Sequence, residues 1–276
     1  MCIRDSTHIL RGDDHLKNSA KHLQLMDAMG YKEPEFIHLP MILGPDGSRL
    51  SKRHGAMNIL EYKDQGFLPE AMLNYLVRLG WSFGDQEVFN IQEMIDAFDV
   101  KSINKSSAKF DLEKLQWLNQ QHLSNSDNSE LTEFLKLNTS LKGLPSENTI
   151  DSFIDAYKPR VNNLNELVGY FNTLYAEDFT VEDSAAEKFL KQEILVPFQD
   201  LLEMLEQGEW NTESINQSVK STCENHGIGF GKIGQPLRVA ITGGTESPSI
   251  DLTMTLLDRE IVISRIKKAI EYIANQ

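Results

Sequence analysis

Strand-like patterns in this chain are confined to its first 43 residues, and helical patterns fill most of the rest. Residues 7–12, THILRG, and residues 35–43, EFIHLPMIL, are typical of strands. Residues 11–30 predict a loop that enters a helix, with Gly30 as its stop. A strand, a helix and a second strand in succession predict a βαβ unit. The sequence therefore favours a mainly α protein with a small α/β part.

A polar segment divides the helical part. Residues 124–129, SNSDNS, contain no apolar residue and predict a linker at a domain boundary. Beyond it, helical periodicity recurs without a convincing strand, and helices are expected near 130–137, 149–157, 162–175, 182–205, 212–225, 232–242 and 259–274. Residues 124–276 are therefore predicted to form an all-α bundle with short loops.

Composition limits the classes of function. The chain has 276 residues, 40% of them hydrophobic, and a formal net charge of -14, as expected of a globular protein with a core. No apolar run approaches about 18 residues, so no transmembrane helix is expected. Two cysteines make neither a disulfide framework nor a zinc site. We expect a cytoplasmic protein that holds no metal in this segment. The acidity argues mildly against nucleic acid, although a local basic cluster can outweigh the net charge.

The densest basic cluster lies on a glycine-flanked loop, residues 44–55, GPDGSRLSKRHG. Most basic runs of this kind are solvated surface. Here GPDG predicts a tight turn that leaves the next residues mobile, and Ser48 and Ser51 alternate with the cations. The loop also follows the βαβ unit, and open α/β sheets bind ligands at the carboxyl ends of their strands. The pattern favours a loop that stabilises a departing pyrophosphate.

Two other patterns are better explained as structure. Residues 229–234, GFGKIG, have the G-x-G-x-x-G spacing of dinucleotide sites, but a helical pattern precedes them where that motif needs a strand. We interpret them as a turn between helices. The histidines are scattered and form no H-E-x-x-H motif, so polar or capping roles are predicted for them. Core packing is predicted for three aromatic residues on apolar helix faces: Tyr62, Trp81 and Trp117.

Four blocks of the sequence, in order, resemble bacterial-type glutamyl-tRNA synthetases, which are class I aminoacyl-tRNA synthetases. The blocks are residues 8–25, residues 49–89, residues 110–123 and residues 231–252. Within the second block, RLSKR resembles the K-M-S-K-S loop of that class and departs from it at Arg49, Leu50 and Arg53. The resemblance runs from about Thr7 to the last residue. Glutaminyl enzymes are less similar, because they end in β-barrels and this chain ends in helical patterns.

The resemblance implies the remnant of a class I, Rossmann-type catalytic domain followed by an α-helical anticodon-binding domain. Residues 1–40 would end the nucleotide-binding domain, residues 41–123 would carry the K-M-S-K-S-type loop and the region that contacts the tRNA stem, and residues 124–276 would bind the anticodon. Residues 1–6 resemble nothing in the family and are expected to be foreign. The H-I-G-H motif is absent from the sequence. We therefore expect an N-terminally truncated piece that is inactive alone.

Site residues follow from the resemblance position by position. Lys52 would bind the phosphates of ATP and stabilise the transition state of adenylation, with Arg49 and Ser51 assisting. Asp14 would approach ATP. Arg11 would bind the carboxylate of the substrate glutamate, a bidentate task that suits a guanidinium group. Magnesium would arrive with ATP and would have no ligand from this segment.

In the last block, Arg238, Ser247 and Ile250 would contact the anticodon bases. An arginine that lies after a proline in an otherwise apolar helix is also a plausible group to stack on a base, although a cap or an ion pair would explain Arg238 and Ser247 as well. The partners implied are tRNA(Glu), with tRNA(Gln) as a second candidate, ATP and L-glutamate. A monomer is expected.

Two other functions stay open at this point. The chain could be a tRNA-binding module without catalysis, which predicts salt-sensitive tRNA binding that survives loss of Lys52 and weakens with Arg238→Ala. It could also be a helical protein-interaction domain, which predicts no tRNA binding even at low salt.

Overall fold

The computed structural model describes residues 6–51 and 58–276. The chain divides into two compact units. The first contains the residues up to Asn125 together with Asn162–Leu164, and the second contains Ser126–Val161 and Asn165–Gln276.

The first unit begins with the predicted βαβ arrangement. Strand β1, His8–Gly12, pairs in parallel with β2, Glu35–Leu39, with His8 opposite Glu35 and Gly12 opposite Leu39. Helix α1, Leu16–Ala28, connects them after a short 3-10 turn, and Gly30 follows it with a φ of 67°. Strand β2 stops before the end of the predicted stretch because Pro40 has no N–H to continue the ladder.

Helices form the remainder of the first unit: α2 Ile59–Asp64, α3 Pro69–Gly80, α4 Ile91–Ala97 and α5 Leu112–Asn125. Local sequence explains where they start. Asn90 and Glu93 form a reciprocal capping box at α4. Pro69 occupies the first turn of α3, where its missing N–H costs nothing.

Aromatic residues dominate the core of this unit. One cluster contains the buried residues Tyr62, Phe67, Met72, Tyr75, Leu115 and Leu118. Trp81 is 1% exposed and contacts the rings of Phe89 and Phe98. The core positions predicted for Tyr62 and Trp81 are confirmed. The prediction for Trp117 is wrong, because 42% of this residue is exposed on the outer face of α5.

The second unit is helical throughout its regular elements. They are α6 Asn128–Asn138, α7 Glu147–Tyr157, α8 Leu164–Tyr175, α9 Asp183–Phe189, α10 Leu195–Gln207, α11 Thr212–Asn225, α12 Phe230–Thr242, α13 Ile250–Thr255 and α14 Arg259–Ala274. The predicted run at 182–205 is two helices, which are separated around a 3-10 turn at Gln192–Ile194. Helix α13 has no counterpart among the predicted runs.

Two polar or glycine-rich segments are more helical than their composition indicates. Helix α5 continues to Asn125 and α6 begins at Asn128, so most of the segment 124–129 is helical. Gly229 of the GFGKIG run is the N-cap residue of α12, and the other five residues lie inside that helix. The run is therefore the start of a helix and not the predicted turn between helices. The predicted fold class, mainly α with a small α/β part, is confirmed.

Asn74 connects three parts of the first unit through its fully buried amide. It donates to the carbonyl of Glu87 at 3.0 Å, accepts from the N–H of Phe89 at 2.9 Å and lies 3.0 Å from Nε2 of His122. Asn74→Ala would leave two buried backbone groups without partners, so we expect a loss of about 2 to 4 kcal/mol. Native-state hydrogen exchange in α3 measures this. Gln92→Ala, which removes an exposed amide from α4, is the control, and an equal effect of both variants would contradict the prediction.

Glu87 contributes a pH-dependent part of the stability. Burial raises the pKa of its carboxyl, but hydrogen bonds from Lys114 and Arg78 outweigh burial and hold the pKa below its ordinary value. A lowered pKa stabilises the folded state above the pKa of the unfolded state, about 4.3, and this stabilisation disappears as pH falls through the folded value. Glu87→Gln should therefore be less stable than the wild type at pH 7. The difference in exchange protection should shrink below about pH 4, and a pH-independent difference would refute the assignment.

Candidate functional site

Arg11 lies at the carboxyl end of β1 and is surrounded by groups that accept its N–H donors. It donates to Oγ of Ser19 at 2.6 Å, to Nδ1 of His22 at 3.1 Å and to Nε2 of His38 at 3.4 Å. Its guanidinium lies 4.9 Å from the centre of the Phe36 ring. Because an arginine only donates, the ring nitrogens are the acceptors in these two contacts. The positive charge is therefore oriented but is not neutralised by a carboxylate of the described residues.

Asp14 and Arg49 meet just beyond the same strand end. Oδ2 of Asp14 lies 3.4 Å from Nη2 of Arg49, and both side chains are more than a third exposed. A tight turn brings Arg49 there: Gly47 donates to the carbonyl of Gly44, and Leu43 bridges to Arg49 in antiparallel fashion. The positive φ of Gly47, 79°, is required by this turn.

The structure describes the residues predicted to bind ATP and glutamate, with one exception. Arg11, Asp14 and Arg49 lie near one end of the two-stranded sheet, and Ser51 follows this turn along the chain. Lys52 lies outside the described residues. The turn at GPDG is present as expected, and backbone hydrogen bonds from Gly44 to the carbonyl of Ser48 and from Leu50 to the carbonyl of Ile42 flank Arg49.

A second candidate site lies in the all-helical unit, around Arg238 on α12. Its Nε donates to Oγ of Ser247 at 2.9 Å, and its Nη1 donates to Oε1 of Gln235 at 2.7 Å. The amide of Gln235 in turn donates to the carbonyl of Thr245. Helix and loop therefore fix the orientation of a half-buried guanidinium, and the predicted pair Arg238 and Ser247 is brought together.

Arg238 lines a cavity of about 310 Å³. Tyr170 lines it with its phenol donating to Glu246 at 3.2 Å. Burial and this hydrogen bond raise the pKa of Tyr170, so the phenol stays protonated at neutral pH. The cavity is lined by Tyr157, Arg160, Tyr170, Arg238, Thr245, Glu246 and Ser247. It offers donors, acceptors and a ring face within one small space.

Ile250 does not line this cavity. It is the first residue of α13 and is 3% exposed, so its side chain belongs to the core. The contact of Ile250 with an anticodon base stays a prediction.

Several residues around both sites were not identified from the sequence. Ser19 and His22 lie three apart on α1, and this spacing on one helix face is a usable signal once Arg11 is suspected. Tyr170 and Glu246 are 76 residues apart, and no local pattern joins them.

Neither a candidate metal site nor a candidate membrane-spanning helix is found among the described residues. Within residues 6–51 and 58–276, no three His, Cys, Asp or Glu side chains are grouped so that they could hold a metal ion. No helix of the same part of the chain is both long enough and apolar enough to span a bilayer.

Comparison with family models gives two matches that follow one another along the chain. Residues 2–117 match the catalytic domain of class I tRNA synthetases for glutamate and glutamine, and residues 128–270 match an anticodon-binding domain. Among curated proteins, glutamate–tRNA ligase of Francisella tularensis subsp. novicida is 42% identical over 271 residues, which are 96% of this chain and 58% of that protein.

The chain belongs to the glutamyl-tRNA synthetase family. Glutamate–tRNA ligase 1 of Alkalilimnicola ehrlichii is 44% identical over 98% of this chain and 58% of its own length. The crystal structure of a glutamate–tRNA ligase from Elizabethkingia meningosepticum, in complex with its amino acid, matches with a TM-score of 0.82 and 31% identity, over 97% of this chain and 57% of that one. The chain thus spans a little under three fifths of the relatives that it matches.

The family resemblance drawn from the sequence is therefore confirmed. The two matched segments agree with the described elements, because the first contains the parallel strands and the second contains only helices and loops. Both candidate sites of this tRNA synthetase chain lie within matched segments.

Gly12 leaves room for the carboxylate of Asp14. A Cβ at this position would lie 2.6 Å from Oδ1 of Asp14, and the backbone φ of Gly12, -63°, suits any residue. Since the atom in the way ends a flexible side chain, Gly12→Ala should leave stability unchanged to within about 0.5 kcal/mol and turn Asp14 away from Arg49. A crystal structure of the variant should show the two side chains beyond 4 Å. Gly143→Ala, which meets nothing within 4 Å, is the control, and an intact Asp14–Arg49 pair in Gly12→Ala would contradict the prediction.

Proposed function

We propose that this chain serves the glutamate–tRNA ligase reaction, in which its helical unit recognises the anticodon and its first unit contributes to the site for ATP and glutamate. The observation that carries the proposal is the similarity to glutamate–tRNA ligases along 96% of the chain, through both candidate sites. Because the relatives are longer than the aligned part, the complete activity is proposed from the family and the site geometry together.

In the helical unit, we propose that Arg238 and Ser247 read an anticodon base. Ser247 and Gln235 hold the guanidinium in place, so little entropy is lost when a base binds. Tyr170 gives a ring face on which a base can stack, and Glu246 gives an acceptor for an exocyclic amine.

In the first unit, we propose that Arg11 binds the carboxylate of glutamate. Its guanidinium is fixed by Ser19, His22 and His38 and carries no carboxylate partner among the described residues, so a substrate carboxylate is the group that it lacks. Asp14 would lie beside ATP with Arg49, and Ser51 and Lys52 would follow the phosphates.

The proposed reaction has two steps. The α-carboxylate of glutamate attacks the α-phosphorus of ATP, an anhydride bond forms, and pyrophosphate leaves. A terminal ribose hydroxyl of tRNA then attacks the adenylate carbonyl, and AMP leaves. No side chain forms a covalent intermediate, so rate acceleration comes from positioning and from charge stabilisation at the phosphates. Magnesium would enter with ATP.

The finer identities stay predictions. We propose tRNA(Glu) as the tRNA substrate, tRNA(Gln) as a second candidate, a monomeric state and a cytoplasmic location. The family supports binding of tRNA, ATP and glutamate in general, and none of these four details follows from that.

An aminoacylation assay distinguishes ligase activity from tRNA binding alone. The purified chain is incubated with ATP, Mg²⁺, glutamate and tRNA(Glu), and glutamyl-tRNA is measured. The sequence contains no H-I-G-H motif, so we expect tRNA binding without charging by this chain by itself. Formation of glutamyl-tRNA would contradict that expectation and would show that the chain alone is a ligase.

Arg238→Ala tests anticodon recognition directly. Loss of one stacking or hydrogen-bonding contact to a base should weaken tRNA(Glu) binding about 5- to 100-fold. Fluorescence anisotropy with labelled tRNA at several salt concentrations measures the dissociation constant. The salt dependence of the variant should change little, because a contact to a base releases few counterions.

Lys220→Ala is the matched control, since it removes the same charge from the exposed face of α11 and away from the cavity. Binding by Lys220→Ala should stay close to that of the wild type. Equal weakening in both variants would point to general electrostatics and against a base contact. No detectable tRNA binding by the wild type at low salt would refute the proposal and favour a protein-interaction domain.

A further inference from the structure

Arg265, on α14, is a buried cation that has no role in the function proposed above. It is 5% exposed, and no carboxylate of the described residues pairs with it. Its Nη1 donates to the carbonyl of Ile241 at 2.5 Å, and its Nη2 donates to the carbonyl of Leu174 at 2.8 Å. Burying a charge that has only backbone acceptors costs free energy. The location of the two acceptors therefore indicates what the guanidinium holds in place.

Both carbonyls belong to the last turns of helices. Leu174 is the penultimate residue of α8, and Ile241 is the penultimate residue of α12. Carbonyls of a last turn have no partner within their helix, and they form the negative end of the helix dipole. Burial lowers the pKa of Arg265 to about 10, which still leaves it charged at neutral pH. One guanidinium therefore holds the C-terminal ends of two helices together.

The same guanidinium also stacks on Phe179, with Cζ 3.7 Å from the ring centre. Phe179 packs where a side chain of Gly243 would be: a Cβ on Gly243 would meet its ring at 3.4 Å and the carbonyl of Thr180 at 2.7 Å. Gly243 has a φ of 79°, and its carbonyl accepts from the N–H of Glu182 at 2.9 Å. Arg265 thus braces the point where the chain leaves α12.

The cavity of Arg238 is built from the elements that Arg265 joins. Helix α8 carries Tyr170, α12 carries Arg238, and the segment that starts at Gly243 carries Glu246 and Ser247. Ser247 is the acceptor for Nε of Arg238. A shift between the ends of α8 and α12 would therefore change the cavity on both sides.

We propose that Arg265 is a positioning residue for base recognition: by bonding the last turns of α8 and α12 and bracing Phe179 against Gly243, it fixes the geometry of the cavity around Arg238. The nature of the ligand rests on the function proposed above. The bracing of residues 243–247 does not, so the two can be tested separately.

The first experiment needs no tRNA. In Arg265→Lys, one ammonium cannot donate to both carbonyls and also lie flat on the Phe179 ring. The backbone amides of Gly243 and Glu182 are hydrogen-bonded where the chain leaves α12, to the carbonyls of Val239 and Gly243. Their hydrogen exchange should become at least about tenfold faster in Arg265→Lys. Exchange in α3 and α5, in the other unit, should be unchanged. Unchanged exchange at Gly243 and Glu182 would overturn the proposal.

Arg259→Lys is the matched control on the same helix. Arg259 also donates to a backbone carbonyl, that of Gly208, and lies over a ring, that of Trp210 at 5.4 Å, but it lines no part of the cavity. A purely structural role of Arg265 would make the two variants alike. We expect only Arg265→Lys to accelerate exchange of the amides of Gly243 and Glu182.

The second experiment measures anticodon discrimination. The dissociation constant is determined for tRNA(Glu) and for tRNA(Glu) transcripts with one anticodon base replaced, at a temperature where circular dichroism shows the variants folded. Arg265→Lys should reduce the discrimination between them about tenfold. In the Arg238→Ala background, Arg265→Lys should not reduce the discrimination further, because the side chain that Arg265 positions is then absent. An equal effect in both backgrounds would overturn the proposal.

The two proposals fail in different ways. If the wild type does not discriminate between anticodons, the function proposed for Arg238 fails, and the exchange result alone decides whether Arg265 braces residues 243–247. If the wild type discriminates and Arg265→Lys discriminates equally well, the proposal for Arg265 is wrong and anticodon recognition stands.

Discussion

Backbone groups that are buried without a partner are costly, and in this chain buried polar side chains supply the missing partners. Asn74 donates to the carbonyl of Glu87 and accepts from the N–H of Phe89. Arg265 donates to the carbonyls of Leu174 and Ile241. Short helices make such ends frequent, because each helix leaves four N–H and four C=O groups without intrahelical bonds. The positions of the helices, and of the sites that they carry, depend on these side chains as much as on apolar packing.

Both candidate sites are built around an arginine that is oriented by groups other than carboxylates. Ser19, His22 and His38 orient Arg11, and Gln235 and Ser247 orient Arg238. A carboxylate partner would have neutralised the charge and competed with an anionic or polar ligand. Hydroxyl, amide and imidazole acceptors fix the geometry and leave the charge available. Arg49 differs, since Asp14 pairs with it in an exposed position where such pairs contribute little energy.

The sequence predicted what local periodicity and capping encode. The βαβ unit and the helical second unit both follow from short-range patterns. Trp117 was wrongly predicted to lie in the core. Periodicity identifies the apolar face of an amphipathic helix but not where the buried part of that face ends, and Trp117 is 42% exposed. The burial of Ile250 could not be predicted from a family block, which identifies a segment but not the direction of each side chain.

The contacts that define the base cavity could not be predicted from the sequence, because they join residues far apart in the chain. Arg265 is 91 residues from Leu174, and Tyr170 is 76 residues from Glu246. A net charge of -14 adds a constraint on what such a cavity must do. The overall field repels a polyanion, so the tRNA binding that we propose would depend on a few well-placed contacts, each of which weakens if its geometry changes. A chain that relies on few contacts gains more from rigid positioning than a basic protein does, and a buried arginine that joins two helix ends is one physical means of obtaining it.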